Sequence, residues 1–438
     1  MTLLMLLACN SYETFRVTGY EQANFSNDAD ILFVIDNSSS MTDEAEALAL
    51  NFEAFIGRLT SSEGANVPHA TLSDAMANYL RETKGDALFI DYQLAITTSS
   101  VDWSNGATAD VEPGEAGTLT GDILKRNTEE VAAKFREQLV CEATCWSTVD
   151  MTSDPSYDCE DPPVVSQVDG VDQITIEYLD CVCGVDAWQG HCGAGAEMGI
   201  EAAYMAMCRA SEDPPDDCYD FPESVPIAFT SDDEGSNAGF LREGANTIVV
   251  IVTDEGDDSP RKDGTGDNDI APYIDLFSDF ASPVRFAVIG PYYEDGEIGC
   301  NSGGALPWAV ERYQNIATET LGKYIPIVDG TDPACAPTDF AENLTQIGDL
   351  LENLLTLFTL QAVPDAATIR VWVDGVELER SSVTEGDPLL GTAVYTDGWT
   401  YDAAYNAVRF NGAAVPDYNA DVKIYYRPLG GTPRSLPF

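Results

Sequence analysis

Asp36, Ser38 and Ser40 stand at alternate positions in the stretch ILFVIDNSSSM, Ile31 to Met41. In an extended loop, alternate side chains point to one side, so a carboxylate and two hydroxyls are expected to face together. Such an all-oxygen set suits a hard divalent cation, Mg2+ or a similar ion, which takes few protein ligands and keeps several waters. A second carboxylate is then expected from a neighbouring strand end, and Asp254, in IVVIVTDEGDDSP, occupies the equivalent place. The acidic residues that follow, Glu255, Asp257 and Asp258, read as a solvated loop. A weaker candidate cation segment is DGTGDND, Asp263 to Asp269, whose alternating oxygens suit Ca2+. It lacks the glycine at loop position 6 and the glutamate at position 12 that an EF-hand loop needs.

These residues need a scaffold that ends strands side by side. Ile31 to Ile35 is apolar throughout, as a central parallel strand covered on both faces must be. Thr42 and Asp43 open a helix through about Leu59, with Leu48, Phe52, Phe55 and Ile56 at helical spacing. The alternation continues: a helix at Leu72 to Leu80, a strand at Ala87 to Thr98, a helix at Thr128 to Leu139 and a helix at Gly195 to Met207. The strand NTIVVIVTD, a helix at Ile270 to Phe280 and the strand VRFAVIG follow. A helix at Trp308 to Thr320, the strand YIPIV and a helix from Asp339 to about Phe358 complete the series. Apolar strands alternating with amphipathic helices predict an α/β, doubly wound sheet over residues 28–358. In such sheets, ligands sit beyond the carboxyl ends of the strands, where strand order reverses. Two interruptions are expected, a loop-rich Cys-rich insertion at 141–193 and a loop at 209–240. Beyond Val363-Pro364 the segments ATIRVWVDG, GWTYDAAYNAVRFNG and ADVKIYYRP are short, alternating and aromatic, which predicts a small all-β sandwich over 364–438.

Asp-x-Ser-x-Ser after the first strand, with an Asp after a later one, resembles the metal-ion-dependent adhesion site (MIDAS) of von Willebrand factor type A domains. Together, ADILFVIDNSSSM, VTDEGDDSP and the tail VPDAATIRVWVDG…WTYDAAYNAVRF resemble bacterial von Willebrand A lipoproteins with a C-terminal β-domain. The resemblance implies a Rossmann-like sheet and a Mg2+ or Mn2+ ion held by Asp36, Ser38, Ser40 and Asp254. It also implies a partner, protein or glycan, whose carboxylate completes the coordination. The family adds a Thr from a loop before the middle helix, and the matching stretch here, QGHCGAGAEMG, has His191 where that Thr is expected. Imidazole suits Mn2+, Zn2+ or Ni2+ better than Mg2+. Thr98, at the end of its strand, is the other candidate.

The opening MTLLMLLAC resembles a lipoprotein signal segment, residues 1–9, with Cys9 as the lipidated residue and a polar linker at 10–27. Lipid on Cys9 would then be the membrane attachment, in the cell envelope, at the outer membrane or cell surface. Ten further cysteines are an even number: Cys141, Cys145, Cys159, Cys181, Cys183, Cys192, Cys208 and Cys218 cluster, and Cys300 and Cys335 stand apart and could pair. Their spacings lack the paired C-x2-C knuckles of common zinc sites, so disulfides in an oxidising compartment are expected. Seventy-five acidic against 21 basic residues, a net charge of −54, argue against nucleic acid as a partner.

With two histidines in 438 residues, His69 and His191, and no G-x-S-x-G, H-E-x-x-H or phosphate-binding glycine loop, an enzyme is not expected. The reading is cation-dependent adhesion or ligand binding. Its alternative is a structural envelope lipoprotein whose metal only holds loops, with a metal-assisted hydrolase behind both.

Overall fold

In the computed structural model the chain forms two units by contact, residues 26–355 and residues 356–438 together with 1–25. The structure describes residues 28–59, 91–101, 114–146, 157–168, 171–185, 187–190, 192–193, 197–220, 230–242, 244–262, 266, 268–280, 282, 284–294, 297–299, 306–328, 338–360, 363–385, 394–403, 406–414, 416, 420 and 422–429. Cys9, the helix expected at Leu72 to Leu80, His69, His191, Cys300, Cys335 and most of Asp263 to Asp269 lie outside them. Among the described residues, no helix is long and apolar enough to cross a membrane.

The first unit is built on a six-stranded sheet. Its strands are β1 (Asp28–Ile35), β2 (Asp91–Thr98), β3 (Thr120–Lys125), β6 (Asn246–Val252), β7 (Val284–Gly290) and β8 (Lys323–Pro326), in the order β8-β7-β6-β1-β2-β3. All pairs are parallel except β2 with β3. The chain builds outward from β1 to one side and then, from β6, to the other, so strand order reverses between β1 and β6. Register places Ile35 opposite both Thr98 and Val252. Three strands therefore end level at the point where a doubly wound sheet opens to a ligand.

Strand periodicity sorts the core into two layers. Ile31, Phe33 and Ile35 pack on one face with Leu48, Phe52 and Phe55 of α1 (Thr42–Leu59) and with Phe135 and Leu139 of α2 (Val131–Glu142). Leu32 and Val34 pack on the other with α4 (Gly199–Ala210), α5 (Ala271–Ser278) and α6 (Pro307–Glu319). Every residue of α4 is buried, the pattern of a helix enclosed on all sides. Its two charged residues are paired: Glu201 with Arg261 at 3.0 Å and Arg209 with Asp233 at 2.6 Å.

The Cys-rich insertion differs from the expected loop. It holds an antiparallel ribbon, β4 (Val165–Val168) with β5 (Val171–Ile174), and a helix, α3 (Ile176–Cys183), capped by Thr175. The eight clustered cysteines pair as Cys141–Cys183, Cys145–Cys192, Cys159–Cys181 and Cys208–Cys218. The edge strand β3 was also not anticipated, because its TGDILK is polar and half-exposed.

The long helix α7 (Phe340–Thr356) runs directly into strand β9 (Leu357–Thr359), which belongs to the second unit. The division therefore falls at Leu355/Thr356 and not after Phe358. In the second unit, β9 pairs with β15 (Ala407–Asn411), which pairs with β14 (Gly398–Asp402). A second antiparallel sheet has β10 (Arg370–Val373) between β11 (Val376–Leu378) and β16 (Val422–Tyr425). A short ribbon joins β12 (Val383–Glu385) to β13 (Val394–Tyr395).

Candidate metal centre

Asp36 leaves β1 at the reversal point and is 1% exposed. Its backbone N–H donates to Val252 O at 2.9 Å, which ties it to the end of β6. The carboxylate is aimed by two donors: Ser38 N–H to Oδ1 at 2.8 Å and Thr253 Oγ1 to Oδ2 at 2.6 Å. Ser38 then opens a short 3-10 turn, Ser39–Met41, that leads into α1, its carbonyl accepting from Met41 N–H at 3.3 Å. Ser38 Oγ lies 3.0 Å from Ser40 Oγ, and Ser40 Oγ donates to Asp254 Oδ1 at 3.1 Å. The structure thus brings together all four residues read from the DxSxS pattern and the β6 end.

These spacings fit a hexacoordinate ion. Oxygens at adjacent corners of a Mg2+ octahedron, about 2.1 Å from the metal, stand about 3 Å apart. Ser40 Oγ stands at that separation from both Ser38 Oγ and Asp254 Oδ1. Among the described residues no group of three or more His, Cys, Asp or Glu side chains is arranged to hold a metal. A cation here would rest on two carboxylates, two hydroxyls and water, the donor set of a hard ion.

Burial and like charge push the local carboxyls up. Asp36 is raised to about 6, chiefly by burial, with Thr253 and Ser38 opposing and Asp254 adding. Glu44, on the first turn of α1, is raised to about 7 by burial and by repulsion from Asp254, Asp43 and Asp36. Glu255 is raised to about 7 by burial, then by Asp36, Asp254 and Asp258.

Behind the centre, a buried polar frame holds the loop that carries Asp254. Asp257, expected in a solvated loop, is fully buried and pairs with Arg312 of α6 at 2.8 Å. Its other oxygen accepts from Ile200 N–H at 3.3 Å, and Ser259 Oγ accepts from Glu201 N–H at 3.0 Å. Both cap the start of α4, whose first amides lack intrahelical partners. Arg312 also donates to Ser259 O at 3.0 Å and Asp269 O at 2.6 Å. The solvated reading fits only Asp258, which is exposed.

No family model matches the chain, and no curated protein matches it. Solved structures do. A von Willebrand factor type A structure from Catenulispora acidiphila is 13% identical, over 92% of this chain and 59% of its own, with a TM-score of 0.31. The human COPII-coat protein Sec24c is 9% identical, over 92% and 40%, with a TM-score of 0.29. The pilus adhesin RrgA from Streptococcus pneumoniae is 10% identical, over 91% and 56%, with a TM-score of 0.28. This chain thus spans 40% to 59% of the length of these proteins. Likenesses this loose carry no functional argument, and the architecture stands on the strand order and register above.

The two candidates for a further ligand fare differently from the DxSxS set. Thr98 lies level with Ile35, one residue short of Asp36, and its hydroxyl donates to Gly114 O at 2.8 Å. It braces the turn before β3. His191 is outside the described residues. The residue that sequence reasoning missed is Glu197, just ahead of α4 and 1% exposed. Its Oε2 accepts from Ser99 Oγ at 2.5 Å, while its buried Oε1 has no hydrogen-bond partner among the described residues. Its backbone is held on both sides: Glu197 O accepts from Asp258 N–H at 2.7 Å, and a β-bridge joins it to Ser100. Burial and the Asp36 charge raise its carboxyl to about 9. The available signal was a Glu following a run of glycines and alanines, directly before a helix that is apolar apart from Glu201 and Arg209.

Proposed function

We propose that this chain is a binding protein that holds a divalent cation, Mg2+ or Mn2+, through Asp36, Ser38, Ser40 and Asp254 and uses it to capture an acidic group of a protein or glycan partner. One observation carries the reading. At the reversal point of the sheet Ser40 Oγ stands 3.0 Å from Ser38 Oγ and 3.1 Å from Asp254 Oδ1, the edge of a Mg2+ octahedron, beside the buried Asp36 carboxylate. When bound, the cation supplies a coordination position that a partner's carboxylate can take. The protein's own residues do the rest: Thr253 and the Ser38 amide aim Asp36, and the Asp257–Arg312 pair fixes the Asp254 loop.

Four disulfides support an oxidising location, and with the lipobox-like Cys9 they support a lipid-anchored place in the cell envelope. An acidic partner and a chain of net charge −54 repel each other. A bridging cation removes that repulsion at the contact point.

The test is cation titration followed by partner capture. Mg2+ or Mn2+ should raise the melting temperature of the wild-type protein and leave Asp36→Ala unchanged, because that variant removes the most buried ligand. Asp254→Ala should behave nearly the same way. Ser38→Ala should weaken affinity less, since water can replace a neutral ligand. Capture from envelope extracts should be lost in EDTA and in Asp36→Ala. Thermal stabilisation without any cation-dependent capture would leave the structural alternative, and no cation response in the wild type would sink both.

A further inference from the structure

The Asp36–Ser40 loop is gripped from outside at two points, and one disulfide joins the grips. Near its start, Asn37 O accepts from Gly193 N–H at 2.8 Å, and Asn37 Oδ1 accepts from Ser100 Oγ at 2.8 Å. The fit at Gly193 leaves no room for a side chain: a Cβ there would stand 2.5 Å from Asn37 Oδ1 and 2.6 Å from Ser100 Oγ. Just past its end, Thr42 Oγ1, at the first residue of α1, donates to Cys145 O at 2.6 Å. Cys145 is bonded to Cys192, the neighbour of Gly193. The bond therefore ties together the segments that hold Asn37 and Thr42, on either side of Ser38 and Ser40.

We propose that the Cys145–Cys192 disulfide and Gly193 form a positioning clamp for the cation loop, so that cation affinity is high with the bond closed and falls when a dithiol opens it. The proposal rests on the cation reading above. Ligand oxygens must be held within a few tenths of an ångström of their positions, and outer partners that aim metal ligands commonly set affinity by one to two orders of magnitude. The two ends of the bond differ in access: Cys145 is buried, and Cys192 is exposed. A thiolate of the dithiol attacks Cys192 Sγ, and Cys145 leaves as its thiolate. The second thiol of the reductant then displaces Cys192. The reductant ends as its own disulfide, and two electrons and two protons have passed to the protein as two thiols. The other crosslinks tie different parts: Cys141–Cys183 joins α2 to α3, Cys159–Cys181 lies within the insertion, and Cys208–Cys218 closes the chain after α4 with both residues fully buried.

The experiment measures Mn2+ affinity on the full chain by electron paramagnetic resonance, with cooperative unfolding as the control for fold. Cys145→Ser/Cys192→Ser should weaken Mn2+ binding by about tenfold or more. Gly193→Ala, which keeps all four bonds and intrudes on Asn37, should do the same. Cys159→Ser/Cys181→Ser, an equally drastic removal elsewhere in the insertion, should stay within about twofold of wild type by the usual independence of distant sites. Re-oxidation of mildly reduced wild-type protein should restore the affinity. Unchanged affinity in both the Cys145/Cys192 and Gly193 variants overturns the clamp, as does an equal loss in the Cys159/Cys181 control. If the double serine variant does not fold, Gly193→Ala decides. An oxidised wild type that binds no Mn2+ overturns the cation reading itself, and the clamp with it.

Discussion

A carboxyl with 1% exposure and a second carboxyl beside it costs free energy whenever both are ionised. Asp36 at about 6, Glu44 and Glu255 at about 7 and Glu197 at about 9 all lie above their ordinary values near 4, so the folded protein binds their protons more tightly than the unfolded chain. Stability from these groups is fully present below about pH 4 and is lost as pH rises through about 6 to 9. The EDTA-treated protein should therefore melt at progressively lower temperature as pH is raised across that window. Saturating Mn2+ should blunt the fall, since a cation takes over the charge balance that protons supply. Binding should also release protons, which calorimetry in buffers of different ionisation enthalpy reads directly. A melting temperature that is flat across this range without metal would contradict the charge arrangement. Asp36 and Asp254 were legible in the sequence because each follows an apolar run, and two strand ends in one parallel sheet have few places to go. Glu197 was not, because burial of a single loop glutamate is a property of what folds over it, and the family pattern drew attention to His191 instead.

At the scale of elements, the centre depends on three segments meeting: the turn between β1 and α1, the loop after β6 and the start of α4. The Asp257–Arg312 pair, with both side chains fully buried, holds the last two to α6. Exchanging such a pair for apolar residues can be neutral, but removing one partner leaves a buried charge uncompensated, at a cost of roughly 3–5 kcal/mol. Arg312→Ala should lower stability by about that amount in denaturant melts and weaken cation binding as well, because Asp254 rides on the freed loop. A loss below about 1 kcal/mol would show that the pair is no more than a surface-type bridge. The alternation of strands and helices was readable because central strands such as Ile31 to Ile35 and Ile248 to Val252 are apolar on both faces. The edge strand β3 was not, because an edge needs only one covered face, and Gly121 takes a left-handed φ of 55° within it. The ribbon β4–β5 did leave a signal, Asp169-Gly170 between two valines, a favoured hairpin turn. It was hidden among the cysteines and prolines that suggested loop.

For the whole molecule, charge and division go together. Residues 356–438 hold 10 of the 75 acidic and 6 of the 21 basic residues, a net of −4, and residues 1–25 hold two acidic and one basic, a net of −1, which leaves −49 on residues 26–355. The acidic excess is therefore a property of the unit that carries the candidate centre, where it would attract cations and resist collapse at low ionic strength. The second unit has its own small core, with Phe358 against Phe410 at 4.9 Å and Val371, Val408 and Ile424 buried. Its division from the first was legible as a change from helical to alternating periodicity near Pro364, but the strand Leu357–Thr359 was hidden at the end of an amphipathic helix. A polypeptide of residues 26–355 should accordingly unfold cooperatively on its own and keep its Mn2+ affinity, with stability that rises from low to moderate salt. Residues 356–438 should fold alone too. Starting that fragment at Pro364 removes β9 and with it Phe358, a buried aromatic whose loss typically costs about 3–5 kcal/mol, most of what so small a unit has to spare. The shorter fragment should therefore lack the near-ultraviolet circular dichroism of the longer one. Equal folding of the two would return Leu357–Thr359 to the first unit and restore the boundary after Phe358.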